Sequence, residues 1–176
     1  GTTVIFQLTG TGTLTAGGAT ARNLTARTSN GVATVTVNAP LLIGTDTISA
    51  TTGGVSGSLT LNYIAGAPAT ATLSASPSEV GAGGASTLSA VVYDSNGNPV
   101  KNQAVSFTLA TNTSGASLTP SAGNAITNAN GVATIAYTAG ATLGSDTINV
   151  TAGSATATAA IEVSAGTADI ATVELV

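Results

Sequence analysis

The run Asn30-Gly31-Val32-Ala33-Thr34-Val35 returns as Asn130-Gly131-Val132-Ala133-Thr134-Ile135, displaced by 130 − 30 = 100 positions. Ile43-Gly44-Thr45-Asp46-Thr47-Ile48 returns at the same spacing as Leu143-Gly144-Ser145-Asp146-Thr147-Ile148. Upstream, Val4-Ile5-Phe6-Gln7-Leu8 matches Val105-Ser106-Phe107-Thr108-Leu109 displaced by 101, so one loop residue separates the copies. Ala65-Gly66 matches Ala165-Gly166, and Ala71-Thr72-Leu73 aligns with Ala171-Thr172-Val173. A period this long makes each copy a whole domain, not a turn of a short-repeat solenoid. It divides the chain into the later part of one repeat (1–66), a complete repeat (67–166) and the opening of a third (167–176).

Within a copy the residues alternate with period two. Val105, Phe107 and Leu109 alternate with Ser106 and Thr108; Leu88, Ala90 and Val92 alternate with Thr87 and Ser89; Ala133, Ile135 and Tyr137 alternate with Thr134 and Ala136. Such strands bury one face and wet the other. Gly53-Gly54, Gly83-Gly84 and the Asn-Gly pairs at 30, 96 and 130 punctuate them as turns. The spacing predicts strands near 70–75, 86–93, 104–110, 132–138, 146–152 and 155–163, with shorter pieces near 116–127, and no helix. The fold class expected is all-β: tandem immunoglobulin-like sandwiches of about 100 residues each. The first copy lacks counterparts of 70–75 and 86–93, so its apolar faces and sheet edges should stand open.

Composition narrows the function classes. Hydrophobic residues are 43% of the chain but aromatic ones only 3% and charged ones 6%. The core must therefore be Val, Ile, Leu and Ala, and the polar surface Thr, Ser and Asn. The only cations are Arg22, Arg27 and Lys101 and the net charge is −4, so no basic stripe exists for nucleic acid or anionic lipid. No apolar run approaches the roughly 20 residues of a membrane-spanning helix. Without Cys there is no disulfide, and without His the commonest general base and transition-metal ligand are missing. No nucleophile–base pair can be assembled, so the chain is read as non-enzymatic.

Asp94-Ser95-Asn96-Gly97-Asn98-Pro99-Val100, then Val105-Ser106-Phe107, then Thr127-Asn128-Ala129-Asn130-Gly131-Val132-Ala133-Thr134 resemble the group 1 bacterial immunoglobulin-like repeat of intimin- and invasin-type surface adhesins. The first copy keeps Val4-Ile5-Phe6 and Thr28-Ser29-Asn30-Gly31-Val32-Ala33-Thr34. The resemblance implies a rod-like, extracellular bacterial protein of stacked domains, with receptor recognition placed in a distal tip module that is not visible in this sequence.

Several residues carry a chemical reading beside a structural one. Asp94, Asn96 and Asn98 have the first-half spacing of a calcium loop, but Pro99 replaces its Gly and the closing Glu is absent, which favours a turn whose side chains bond their own backbone. Asp46 and Asp146 occupy equivalent positions, read as caps of a loop before a strand; Glu79, Asp146 and Glu162 are an alternative calcium set at domain junctions. Lys101, followed by Asn102, reads as a solvated turn residue and not as one end of an isopeptide cross-link. Asn23, Asn112 and Asn149 match the glycosylation pattern at the frequency expected by chance in a chain rich in Asn and Thr. Gly10-Thr11-Gly12 and Ala82-Gly83-Gly84 are not phosphate loops. Among the tyrosines, Tyr137 has inward parity, while Tyr93 has outward parity and is the candidate contact for a carbohydrate or receptor.

Cofactors are expected to be none, with calcium the exception named above. The partners expected are neighbouring repeats, in the same chain or in adjacent subunits, and the receptor is unspecified. Opening at Gly1 without Met suggests a processed or excised chain. Two arrangements fit: a segment of a continuous stalk, or a filament subunit in which Ile170, Val173 and Leu175 of the last segment complete a neighbour by strand donation.

Overall fold

The alternating runs become strands throughout the computed structural model, which describes residues 1–165 and contains no helix among them. Ile170, Val173 and Leu175 lie outside the described residues. The chain divides into two units, Gly1–Ala65 and Gly66–Val176, close to the boundary set by the repeat.

The first unit holds β1 (Thr3–Thr9), β2 (Thr13–Ala16), β3 (Ala19–Ala21), β4 (Asn23–Arg27), β5 (Thr36–Asn38), β6 (Gly44–Thr52) and β7 (Val55–Tyr63). They form one sheet in the order β4-β1-β6-β7 and a small one in the order β3-β2-β5. The second unit holds β8 (Thr70–Ser76), β9 (Glu79–Gly81), β10 (Ala85–Tyr93), β11 (Ala104–Thr111), β12 (Ser117–Thr119), β13 (Asn124–Ile126), β14 (Val132–Thr138), β15 (Gly144–Ala152) and β16 (Ala155–Ser164). Its two sheets run β12-β14-β10-β8 and β13-β11-β15-β16-β9. Only β9 joins in parallel, Glu79 opposite Glu162.

The second unit is a closed sandwich. Leu88, Ala90 and Val92 of β10 meet Val105 and Phe107 of β11, Ile135 and Tyr137 of β14, Ile148 and Val150 of β15, and Ile161 and Val163 of β16, all of them buried. Alternation along each strand sends the intervening Thr and Ser to water, as the period predicts.

Pairing registers match across the copies and show where they diverge. Phe6 faces Ala50 and Leu8 faces Ile48, as Phe107 faces Val150 and Leu109 faces Ile148. Then Thr9 faces Thr47, whereas Thr111 faces Thr147 across a register shift between Leu109 and Thr111. The extra residue, Ala110, is a β-bulge. The displacement of 101 therefore grows to 102 inside the strand itself, a residue gained by the second copy, opposite in sign to the loop difference that brings the displacement down to 100.

What the first unit lacks is equally clear. It has counterparts of β11 through β16 but none of β8, β9 or β10. Its inner face is correspondingly uncovered: Val55 is 71% exposed where its counterpart Ala155 is 2% exposed, and Leu59 is 60% exposed.

Burial sets the cost of truncation. Phe107→Ala should destabilise the second unit by about 3–5 kcal/mol, while Phe6→Ala, at a half-buried position, should cost clearly less. Urea denaturation followed by hydrogen exchange on each unit reads the two losses separately.

Candidate functional site

The polar groups drawn inside the two units are the natural places to look for chemistry. Asp146 is the third residue of β15 and is fully buried. Its carboxylate accepts the Ser114 amide at 3.0 Å, the Ser114 hydroxyl at 2.5 Å and the Tyr137 hydroxyl at 2.5 Å. The Gly140 amide donates to the Ser114 hydroxyl oxygen at 3.1 Å. Burial pushes the Asp146 pKa up, but these hydroxyl and amide donors outweigh it and leave the carboxyl below its ordinary value. Burial, reinforced by the carboxylate, raises the Tyr137 phenol to about 12.

Asp46 occupies the same position in β6. It accepts the Thr11 and Gly12 amides, each at 2.8 Å, and the Tyr63 hydroxyl at 2.8 Å. Burial again works against ionisation and the Thr11 amide, Tyr63 and Gly12 overcome it, so its pKa is lowered. The Gly10-Thr11-Gly12 run thus has a structural role: Gly10 has φ +128°, and a Cβ there would overlap the Asp46 carboxylate. Both aspartates lie within strands and pin the loop that follows β1 or β11, which corrects the reading of them as caps before a strand.

The tyrosines serving these carboxylates come from different strands. Tyr63 is on β7, whose counterpart β16 carries Val163 at that position; Tyr137 is on β14, where the first copy has Val37. Tyr137 is inward as its parity predicts. Tyr93 is half-buried at the end of β10 and bridges Pro99 through its backbone.

Asp94, Asn96 and Asn98 form a closed turn. The Asp94 carboxylate accepts the amides of Asn96, Asn98 and Gly66 and the Asn98 side-chain amide, all at 2.9 Å. Led by the Asn98 side chain, these donors pull its pKa down to about 2. Both oxygens of the Asp94 carboxylate are thus already occupied by two N–H donors each. Glu79 and Glu162 are exposed and opposite each other, whereas Asp146 is turned into the core. Among the described residues no three acidic groups gather as a metal site. Lys101 is exposed in a turn, as are Asn23, Asn112 and Asn149 on their strands and loops; Asn112 bonds the Ala116 backbone at 2.6 and 3.0 Å.

One pair of residues escaped sequence reasoning. Thr127 accepts the Gln103 amide on its hydroxyl at 2.9 Å and donates its own amide to the Gln103 carbonyl at 2.9 Å. Thr28 does the same with Thr2, at 2.8 and 2.9 Å. Their displacement is 127 − 28 = 99, because the turn that follows is shorter in the first copy. The shared Thr before each Asn-Gly was the available signal. That shorter turn puts Asn30 and Gly31 at φ 52° and 82°, a type I′ hairpin, while in the second copy only Gly131 is positive, at 73°. A Cβ at Gly131 would lie 2.6 Å from the Val92 carbonyl of β10, a strand the first unit does not have.

No protein-family model and no curated protein sequence matches the chain. Solved structures do. The Escherichia coli adhesin FdeC matches over 92% of this chain at 18% identity with a TM-score of 0.64. Invasin, a bacterial integrin-binding protein, matches over 94% at 20% identity and 0.51, and the Yersinia pseudotuberculosis adhesin InvE over 93% at 23% and 0.50. The chain spans 52%, 32% and 49% of those three structures, respectively.

Linkage gives these groups a pH signature. A lowered Asp pKa contributes stability that is complete above the ordinary value of 3.8 and lost as pH falls through the folded value, about 2 for Asp94. A raised Tyr pKa contributes stability present below 10.0 and lost as pH rises toward about 12 for Tyr137. Thermal melts across pH should therefore decline at both ends, and Tyr137→Phe should flatten the alkaline limb and, by taking a donor from Asp146, reduce part of the acid limb as well. Asp146→Ala strands the Tyr137 and Ser114 hydroxyls in the core and should cost on the order of 3 kcal/mol by denaturant titration.

Built from sandwich strands, turns and internally satisfied carboxylates, the chain has the immunoglobulin-like fold seen in these bacterial adhesin structures.

Proposed function

We propose that the chain is a non-catalytic, extracellular stalk segment of a bacterial surface adhesin, in which tandem sandwiches carry a recognition element away from the cell. The observation that supports this most is the internal repeat itself: two copies of a fold found in adhesins, with their polar groups spent on holding loops to strands. No buried side-chain N or O among the described residues lacks a partner, so these groups are not poised for substrate. No helix among the described residues is long and apolar enough to cross a membrane. Neighbouring repeats are the partners this reading requires, whether in one chain or between chains.

A second reading has its own support. The uncovered inner face of the first unit suits a filament subunit completed by strand donation, with Ile170, Val173 and Leu175 as the donated residues.

Single-molecule pulling tests the stalk role. Thr70–Ser164 should unfold in one cooperative step, releasing roughly 300 Å of contour at about 3.4 Å per residue. Binding of the intact chain to host cells or to a glycan array, abolished by Tyr93→Ala, would instead make it a recognition module.

A further inference from the structure

We infer that the open face of the first unit is a docking site for a β-hairpin with the pattern of this chain's own Thr70–Tyr93. Three separate openings in the first unit correspond to that one segment.

The first is an edge. In the second unit β14 pairs with β12 on one side and with β10 on the other, Leu88 opposite Ile135 and Ala90 opposite Ala133. In the first unit β5 pairs with β2 alone. The side on which β10 would lie carries no strand among the described residues.

The second is a face. Phe6, Ile48, Ala50, Gly57 and Leu59 line a trough of about 250 Å³. Their counterparts in the second unit lie beneath β8 and β10, and β8 packs directly against β16. Phe107, Ile148 and Val150 are buried there, whereas Phe6, Ile48 and Ala50 are half-open. The third is the far edge of the large sheet. β16 accepts β9 in parallel at Glu162–Ser164, and among the described residues the matching stretch of β7 and Ile64 has no strand beside it, with Ile64 76% exposed.

The second unit thus specifies the occupant's chemistry and register. It is two antiparallel strands, the inner one with apolar residues at alternate positions like Leu88, Ala90 and Val92, the outer one with aliphatic residues like Ala71 and Leu73, joined by a connection that adds in parallel to the far edge as Glu79–Gly81 does. A single strand fills one opening and leaves two. The occupant is neutral on its buried side, as this trough requires, since no charged side chain lines it.

The inference rests on the repeat reading, which the pulling of the second unit tests independently. A copy of residues 67–101 is fused directly ahead of Gly1 of the full chain, which reproduces the spacing from β10 to β11. Hydrogen exchange is then measured on residues 32–38 and 4–8. Amides there should exchange at least about tenfold more slowly than in the unfused chain, and the melting transition of the first unit should move up. The same fusion with Leu88→Asp and Val92→Asp in the added copy should lose both gains. Unchanged exchange in the first fusion overturns the inference, as does equal protection from the Asp-substituted one. It is also overturned if the unfused chain becomes protected as its concentration rises and loses that protection when residues 166–176 are removed. That result would make one strand of a second copy the occupant.

Discussion

A sheet face lined by Val, Ile, Leu and Ala is stable in water only when another sheet lies on it, and this chain has almost nothing else with which to build a core. It has two phenylalanines, no tryptophan, no cysteine and few charges. Stability must come from apolar area removed from water, at about 25 cal/mol per Å². Strand β10 is the element that satisfies this requirement in the second unit. It sits between β8 and β14 and presents Leu88, Ala90 and Val92, all fully buried, to the opposite sheet. Its backbone also sets the turn at Gly131, where the Val92 carbonyl leaves no room for a side chain. Without such a strand the same sequence pattern in the first unit gives half-covered residues and a different Asn-Gly turn.

The buried aspartates answer a different need. The loop after β1 or β11 must cross from one sheet toward the other, and its amides lose water as it does so. A carboxylate on the neighbouring strand accepts those amides and holds the loop against the sheet. Each copy then adds a neutral hydroxyl donor to the Oδ2 oxygen, and each uses a tyrosine. That the tyrosine comes from β7 in one unit and β14 in the other shows that the constraint falls on the hydroxyl's position, not on the strand that supplies it. Asp94 does the same work in the turn ahead of β11, held by three N–H donors from Asn96 and Asn98 and by a fourth from the distant Gly66 amide.

These interactions explain the sparse chemistry of the surface. Asp46, Asp94 and Asp146, which would be candidate ligands or bases in another fold, are committed to amides and hydroxyls, and among the described residues the groups left outside are mainly Thr, Ser and Asn, with a few charges such as Glu79, Glu162 and Lys101.

The sequence by itself determined the main strands, the inward parity of Tyr137 and the self-bonded turn at Asp94, because period two and turn chemistry are local properties. It also determined that the first copy lacks two covering strands, since the repeat made the omission countable. Only the tertiary structure decided that Asp46 and Asp146 anchor loops from inside strands, that Ala110 is a bulge, and that Thr28 and Thr127 perform one task. Each of those depends on which strand lies alongside. Hydrogen bonds spanning 20 to 40 positions, such as Thr2 to Thr28 and Thr11 to Asp46, are fixed by sheet register and not by neighbours in the chain.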